Sequence, residues 1–149
     1  MNQVQREFNG LGQMTREYQA VGGAVNTGTT PSVQYAFSFS ASGSLNHRRL
    51  TSITYPNGRV ITYNYVTGLA DNISRLSSIT DGATTLESYE YLGYGIVVKR
   101  GHAQTGVDLT YIKLTGETDG AAGDKYNGLD LFGRVIDQQW TTSVPSIED

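Results

Sequence analysis

The chain has 149 residues, a formal charge of −3, 18 glycines, ten tyrosines and no cysteine. The negative balance argues against nucleic-acid binding, which leans on a positive field, and the missing cysteine removes disulfides, thiol catalysis and cysteine-ligated metals together. Abundant Gly, Tyr, Ser and Thr describe a turn-rich β protein, and no long run carries helical periodicity.

A single domain over residues 1–149 is expected at this length. Met1 to Arg6 lacks the apolar core of a signal peptide, and no apolar stretch approaches the roughly 18 residues that span a bilayer. The chain therefore reads as cytoplasmic or as a piece of a longer exported protein.

In chain order, Phe8-Asn9-Gly10-Leu11-Gly12 reads as an aromatic strand end and a glycine turn, from which a polar strand leads out to Tyr18. Ala20 to Ser32 is small and glycine-rich and is expected as a connecting loop with no function of its own. Gln34 to Ser40 alternates Tyr35, Phe37 and Phe39 with small or polar residues, a strand with one apolar face. The next strand starts near Arg49 and enters the best-specified stretch, Leu50 to Tyr65.

That stretch is a hairpin with two candidate loops. A two-residue loop at Asn57 and Gly58 sets Tyr55 against Val60 and mixes apolar and polar side chains on both faces. A three-residue loop, with Pro56 and Asn57 central and Gly58 in the left-handed position, sets Tyr55 against Arg59, Ile53 against Ile61 and Thr51 against Tyr63. It gathers Ile53, Tyr55, Ile61, Tyr63 and Tyr65 on one side. Turn chemistry and hydrophobic pattern thus select the same register.

Leu69 to Asn72 makes a short excursion, and Arg75 to Thr80 returns as a strand into an Asp81-Gly82 turn. Glu87 to Tyr91 and Ile96 to Arg100 are strands either side of Gly93 and Gly95. Val107 to Thr115 is another, joined to the last by a loop over Gly101 to Gly106. Thr118 to Asp124 is a glycine-rich turn, Tyr126 to Trp140 repeats the aromatic-Asn-Gly-Leu line of Phe8, and Thr141 to Asp149 reads as an exit segment.

No catalytic, cofactor-binding or metal-binding residue is assigned from these patterns. His47 and His102 have no partner at metal or triad spacing and read as exposed loop residues. Gly93-Tyr94-Gly95 lacks the third glycine of a dinucleotide fingerprint and leads into a strand. Asp119, Asp124, Asn127 and Asp130 could bind calcium but fit neither the EF-hand spacing nor the glycine-aspartate repeat of calcium-binding β-rolls, so an ordinary turn is expected. Glu87 and Glu90 fall on opposite faces of a strand, which argues against a carboxylate pair. Tyr63, Tyr65, Tyr89, Tyr91, Tyr111 and Trp140 read first as core and second as a sugar-stacking platform. Eight Arg against three Lys suggest planar stacking and pairing on a sheet surface, with Arg59 and Arg134 set against neighbouring acids. Asn72-Ile73-Ser74 is a lone glycosylation sequon.

The recurring unit is an aromatic-polar-aromatic strand, a glycine turn often followed by Arg, and a short outgoing strand. It resembles the YD-repeat, or Rhs-repeat, family, whose loose signature is Tyr-x-Tyr-Asp followed by x-x-Gly-Arg-Leu. Tyr126-Asn127 with Gly133-Arg134-Val135 is the best match, and Phe8-Asn9 with Gly12-Gln13-Met14 is a drifted copy. Tyr63-Asn64-Tyr65 leads toward Arg75-Leu76, Tyr89-Glu90-Tyr91 toward Gly93 and Gly95, and Pro56-Asn57-Gly58-Arg59-Val60 looks like a line found between such repeats. Asn replaces the Asp at Asn9 and Asn127, Gln13 replaces an Arg, and the Asp-Pro-x-Gly-Leu line of the self-cleaving Rhs core is missing.

The resemblance implies an all-β fold of repeated antiparallel hairpins in a twisted or spiral sheet. It also implies a non-enzymatic scaffold within a larger bacterial surface or toxin-delivery protein, secreted or at the cell surface. Expected partners are flanking repeats, identical copies or an encapsulated toxin domain, with no nucleic acid, membrane span or cofactor. A carbohydrate-binding module using sheet aromatics is the alternative.

Overall fold

The structure, a computed structural model, describes residues 1–39, 48–111 and 128–142. It is all-β and antiparallel. The strands are β1 (Gln3–Phe8), β2 (Met14–Ala20), β3 (Ser32–Phe39), β4 (Arg48–Thr54), β5 (Val60–Asn64), β6 (Ser78–Asp81), β7 (Thr84–Leu92), β8 (Ile96–His102), β9 (Val107–Thr110) and β10 (Gln139–Thr142). One turn of helix, α1 (Leu69–Asn72), follows β5; β1 to β5 hydrogen-bond in chain order, and so do β7 to β10. Short turns close β1–β2, β4–β5, β6–β7, β7–β8 and β8–β9, whereas longer connections precede β3, β6 and β10. Among the described residues no helix is long and apolar enough to cross a membrane.

The residues fall into two compact units, Met1–Asn64 with Thr80–Ala83, and Tyr65–Ile79 with Thr84–Asp149. In the first, the Tyr55 turn takes the three-residue loop. The Tyr55 N–H donates to the Arg59 carbonyl at 2.9 Å and the Gly58 N–H to the Tyr55 carbonyl at 2.9 Å, with Gly58 at φ 82°. Ile53 accordingly pairs with Ile61 and Thr54 with Val60, and Ile61 is buried. A glycine at the left-handed position and proline at the first central one leave no competing register.

On the β1–β2 ladder, Gln5 faces Tyr18 and Glu7 faces Arg16. Tyr18 is buried, and its hydroxyl donates to Glu7 Oε1 at 3.2 Å while accepting from Arg16 Nη1 at 3.3 Å. A buried phenol needs such partners. Arg6 and Glu17 pair at 2.6 Å on the opposite face. Thr51 is the extra residue of a bulge against β3, and its hydroxyl donates to the Ala36 carbonyl at 3.2 Å. The connection after β2, expected as a plain loop, is tied down by side chains: Asn2 Oδ1 accepts from Gly22 N–H and Gln3 Oε1 from Val25 N–H.

In the second unit a bulge between Glu90 and Tyr91 leaves Val98 unpaired, and its side chain is fully buried. The Val98 carbonyl accepts from Tyr111 N–H at 2.8 Å. Gly101 was expected to open a loop, but it lies within β8, opposite Ser88 and Asp108. A Cβ there would sit 2.7 Å from Ser88 Oγ and 3.0 Å from Asp108 Oδ1, so the glycine serves close cross-strand approach, and the turn comes after His102. The strand expected from Arg75 begins only at Ser78, because the Arg75 N–H still closes onto the Ala70 carbonyl at 2.7 Å, at the end of α1.

Deep burial is sparse. Among the described residues the buried apolar side chains are Tyr18 and Ile61 in the first unit and Val98 and Leu129 in the second, with Thr110 the buried polar one. Each contributes about 1.5–3 kcal/mol. Ordering a residue's backbone costs about 1–2 kcal/mol, so half-buried side chains and hydrogen-bonded ladders must supply most of the stability.

Candidate functional site

Register places one row of chemistry across the second unit. Tyr89 pairs with Arg100, Arg100 with Leu109, and Leu109 with Trp140, so these four side chains share one face of β7, β8, β9 and β10. Two residues along β7, Glu87 is mostly buried and gathers three partners. Its Oε2 accepts from the Tyr89 hydroxyl at 2.6 Å, its Oε1 from Arg100 Nε, and His102 Nε2 lies 3.4 Å from Oε1. The Arg100 hydrogen bond holds the Glu87 carboxyl below the usual carboxylate range against the opposing effect of burial, and the Tyr89 bond adds to it. Burial and the bond to Glu87 push the Tyr89 phenol up to about 12.

Stacking completes the face. Tyr89 and Tyr91 rings lie 6.4 Å apart and tilted, with Arg100 6.0 Å from the Tyr89 ring and Arg75 4.7 Å from that of Tyr91. The Tyr91 hydroxyl donates to the Leu76 carbonyl at 2.6 Å. A cavity of about 230 Å³ opens among Tyr89, Val97, Lys99, Arg100, Leu109 and Tyr111.

Several residues weighed in the sequence are placed by this geometry. His102, expected as an exposed loop residue without a partner, is instead half-buried at the end of β8 beside Glu87. His47 lies outside the described residues. Glu90 meets Lys99, whose ammonium is also 3.0 Å from Asp108, while Glu87 faces Arg100. Tyr63, Tyr65, Tyr89, Tyr91 and Tyr111 are half-buried rather than core, and Trp140 is exposed. Arg59 pairs with Asp81 at 2.8 Å and Arg134 with Asp130 at 2.6 Å. Of the acidic loop, Asp119, Asp124 and Asn127 lie outside the described residues, and the Asp130 carboxylate is engaged within its own turn. Among the described residues no group of three or more metal-ligating side chains is present.

The second feature is one turn made three times. At Asn9, Tyr55 and Asp130 the opening N–H donates to the carbonyl four residues on, and the N–H of Gly12, Gly58 or Gly133 donates back to the opener. All three glycines have φ between 74° and 82°. Asn9 Oδ1 accepts from Leu11 and Gln13 N–H, each at 3.0 Å. Asp130 Oδ1 does the same for Phe132 and Arg134, each at 2.9 Å. These bonds hold the Asp130 carboxyl below its usual range.

The residue in Asn9's place is thus Asp130, and the sequence reading anchored on Tyr126-Asn127 missed it. The signal was present as a spacing: an Asn or Asp three residues before the left-handed glycine, at Asn9 and Gly12 and again at Asp130 and Gly133. Leu129, paired with Val135, then stands where Phe8 stands against Met14. Tyr63-Asn64-Tyr65 leads instead to α1.

No protein-family model and no curated protein matches the chain.

Proposed function

We propose that this chain is a non-enzymatic structural and interaction module, a YD-repeat-like β scaffold within a larger bacterial surface or toxin-delivery protein. The observation that carries the reading is the recurrence of one hydrogen-bonded turn at Asn9, Tyr55 and Asp130, closing the β1–β2 hairpin, the β4–β5 hairpin and the Leu129–Val135 bridge. A repeated unit of this kind buries its faces against neighbouring units, which accords with the few buried side chains in either unit. Flanking repeats or identical copies supply the neighbours, and β1, whose only partner among the described residues is β2, is the strand offered to them. Val4 on β1 is exposed, as an unpaired edge awaiting a neighbour would leave it.

Light scattering across a concentration series tests this. Mass is expected to rise above the 16.2 kDa chain, and Val4→Lys, which charges the edge, is expected to reduce the rise. A strict monomer at every concentration would overturn the proposal.

A further inference from the structure

The three equivalent turns differ at their apex. Gly10-Leu11 and Pro56-Asn57 occupy it in the first unit, whereas Leu131 and Phe132 occupy it in the second and are 96% and 84% exposed. Apart from the Phe132 backbone N–H, which any residue but proline would supply, the turn's hydrogen bonds are made by Asp130, Gly133 and Arg134, so nothing in its folding requires apolar side chains there. Phe132 is also held in place. Arg134, fixed by Asp130, lies 5.3 Å from its ring centroid. Ile96, itself exposed, approaches Gly133 at the base of the same turn.

The unit that carries this projection also carries a receptor for it. The cavity between Tyr89, Leu109 and Tyr111 has a volume of about 230 Å³ and a mainly apolar lining. That is smaller than the pockets that enclose drug-sized ligands, yet larger than the roughly 150 Å³ in which a benzene ring is held. Its size fits one aromatic side chain. Two tyrosine rings offer edges and faces to such a ring, and the Arg100 guanidinium lies at the rim. The charges around both are paired within the unit, Arg134 with Asp130, Lys99 with Asp108 and Arg100 with Glu87, so the contact is one of apolar and ring surfaces.

We infer that the Leu131-Phe132 apex docks into the Tyr89–Leu109–Tyr111 cavity of a second copy of this chain. The inference rests on the reading of the chain as a self-associating module and names a surface other than the strand edge. Because apex and cavity lie in one unit, a two-fold arrangement can engage both at once and close as a dimer. One ring per contact is a small anchor, so a weak, concentration-dependent association is expected.

Sedimentation of the full chain across a concentration series tests this with three variants. Phe132→Ser and Leu109→Arg, which remove the projection and block the cavity, are each expected to raise the association midpoint at least tenfold. Phe132→Met, which keeps an apolar projection, should stay close to the parent chain. An equimolar mixture of Phe132→Ser and Leu109→Arg should regain association, since it pairs an intact apex with an intact cavity. Should Leu109→Arg fail to fold, Phe132→Ser against Phe132→Met decides. Association unchanged by Phe132→Ser overturns this inference while leaving the scaffold reading standing, and a parent chain that never associates overturns both.

Discussion

The turn at Pro56-Asn57 and the turn at Leu131-Phe132 close with the same two backbone hydrogen bonds and the same left-handed glycine, yet one apex is polar and rigid and the other greasy. The difference teaches that backbone geometry in this chain is set by three positions: the opener, the glycine and the residue after it. The apex pair is left free to answer to something else. In the first turn Pro56 pre-sets its own φ, which suits folding. In the second, the Leu131 and Phe132 side chains take no part in the turn's hydrogen bonds, to which Phe132 lends only its backbone N–H.

The largest expected break in this symmetry lies just before the second turn. A Cβ on Gly128 would stand 2.4 Å from the Asp137 carbonyl and 3.0 Å from the Tyr111 backbone, whereas one on Gly10 meets nothing within 4 Å. Gly128→Ala is expected to cost about 3 kcal/mol in denaturant unfolding, and Gly10→Ala well under 1 kcal/mol. Next come the left-handed glycines. Gly58→Ala and Gly133→Ala should each cost about 1–2 kcal/mol and by similar amounts, since both turns make the same demand. A large disparity between them would show that the two turns are not equivalent.

Smaller effects sharpen the comparison. Asn57 Oδ1 accepts one N–H, from Arg59, while Asp130 Oδ1 accepts two, so Asp130→Ala should lower the melting temperature by roughly twice as much as Asn57→Ala. The smallest effect is electrostatic and belongs to the second unit. Because the Glu87 carboxyl is held down, its contribution is present above the usual carboxylate range and is lost as pH falls through its lowered value. Glu87→Gln should therefore flatten the acid limb of the stability profile. Tyr89, pushed up to about 12, contributes below the ordinary phenol value and loses that contribution as pH rises toward 12. Tyrosinate absorbance should show a late-titrating phenol that Tyr89→Phe removes.

What the sequence disclosed follows from how local each feature is. The register of the Tyr55 turn was legible because proline, glycine and the hydrophobic alternation, all within a few residues, allow a single consistent loop. The Glu87 cluster was not, since Glu87 and Arg100 meet only through the β7–β8 pairing and its bulge at Val98. Gly101 misled because a glycine needed for close approach looks the same in sequence as a glycine needed for a turn. Asp130 was passed over because the Tyr-Asn pair drew the alignment three residues upstream of the spacing that the turn obeys.

Replacing Leu131-Phe132 by the Pro-Asn pair of the first turn, as the double variant Leu131→Pro and Phe132→Asn, tests the account most directly. Thermal unfolding and sedimentation are read on the same protein. The account predicts a melting temperature equal to or slightly above that of the parent chain, through the stiffer proline, together with the weakened self-association expected of Phe132→Ser. A clear drop in melting temperature, with association intact, would contradict it.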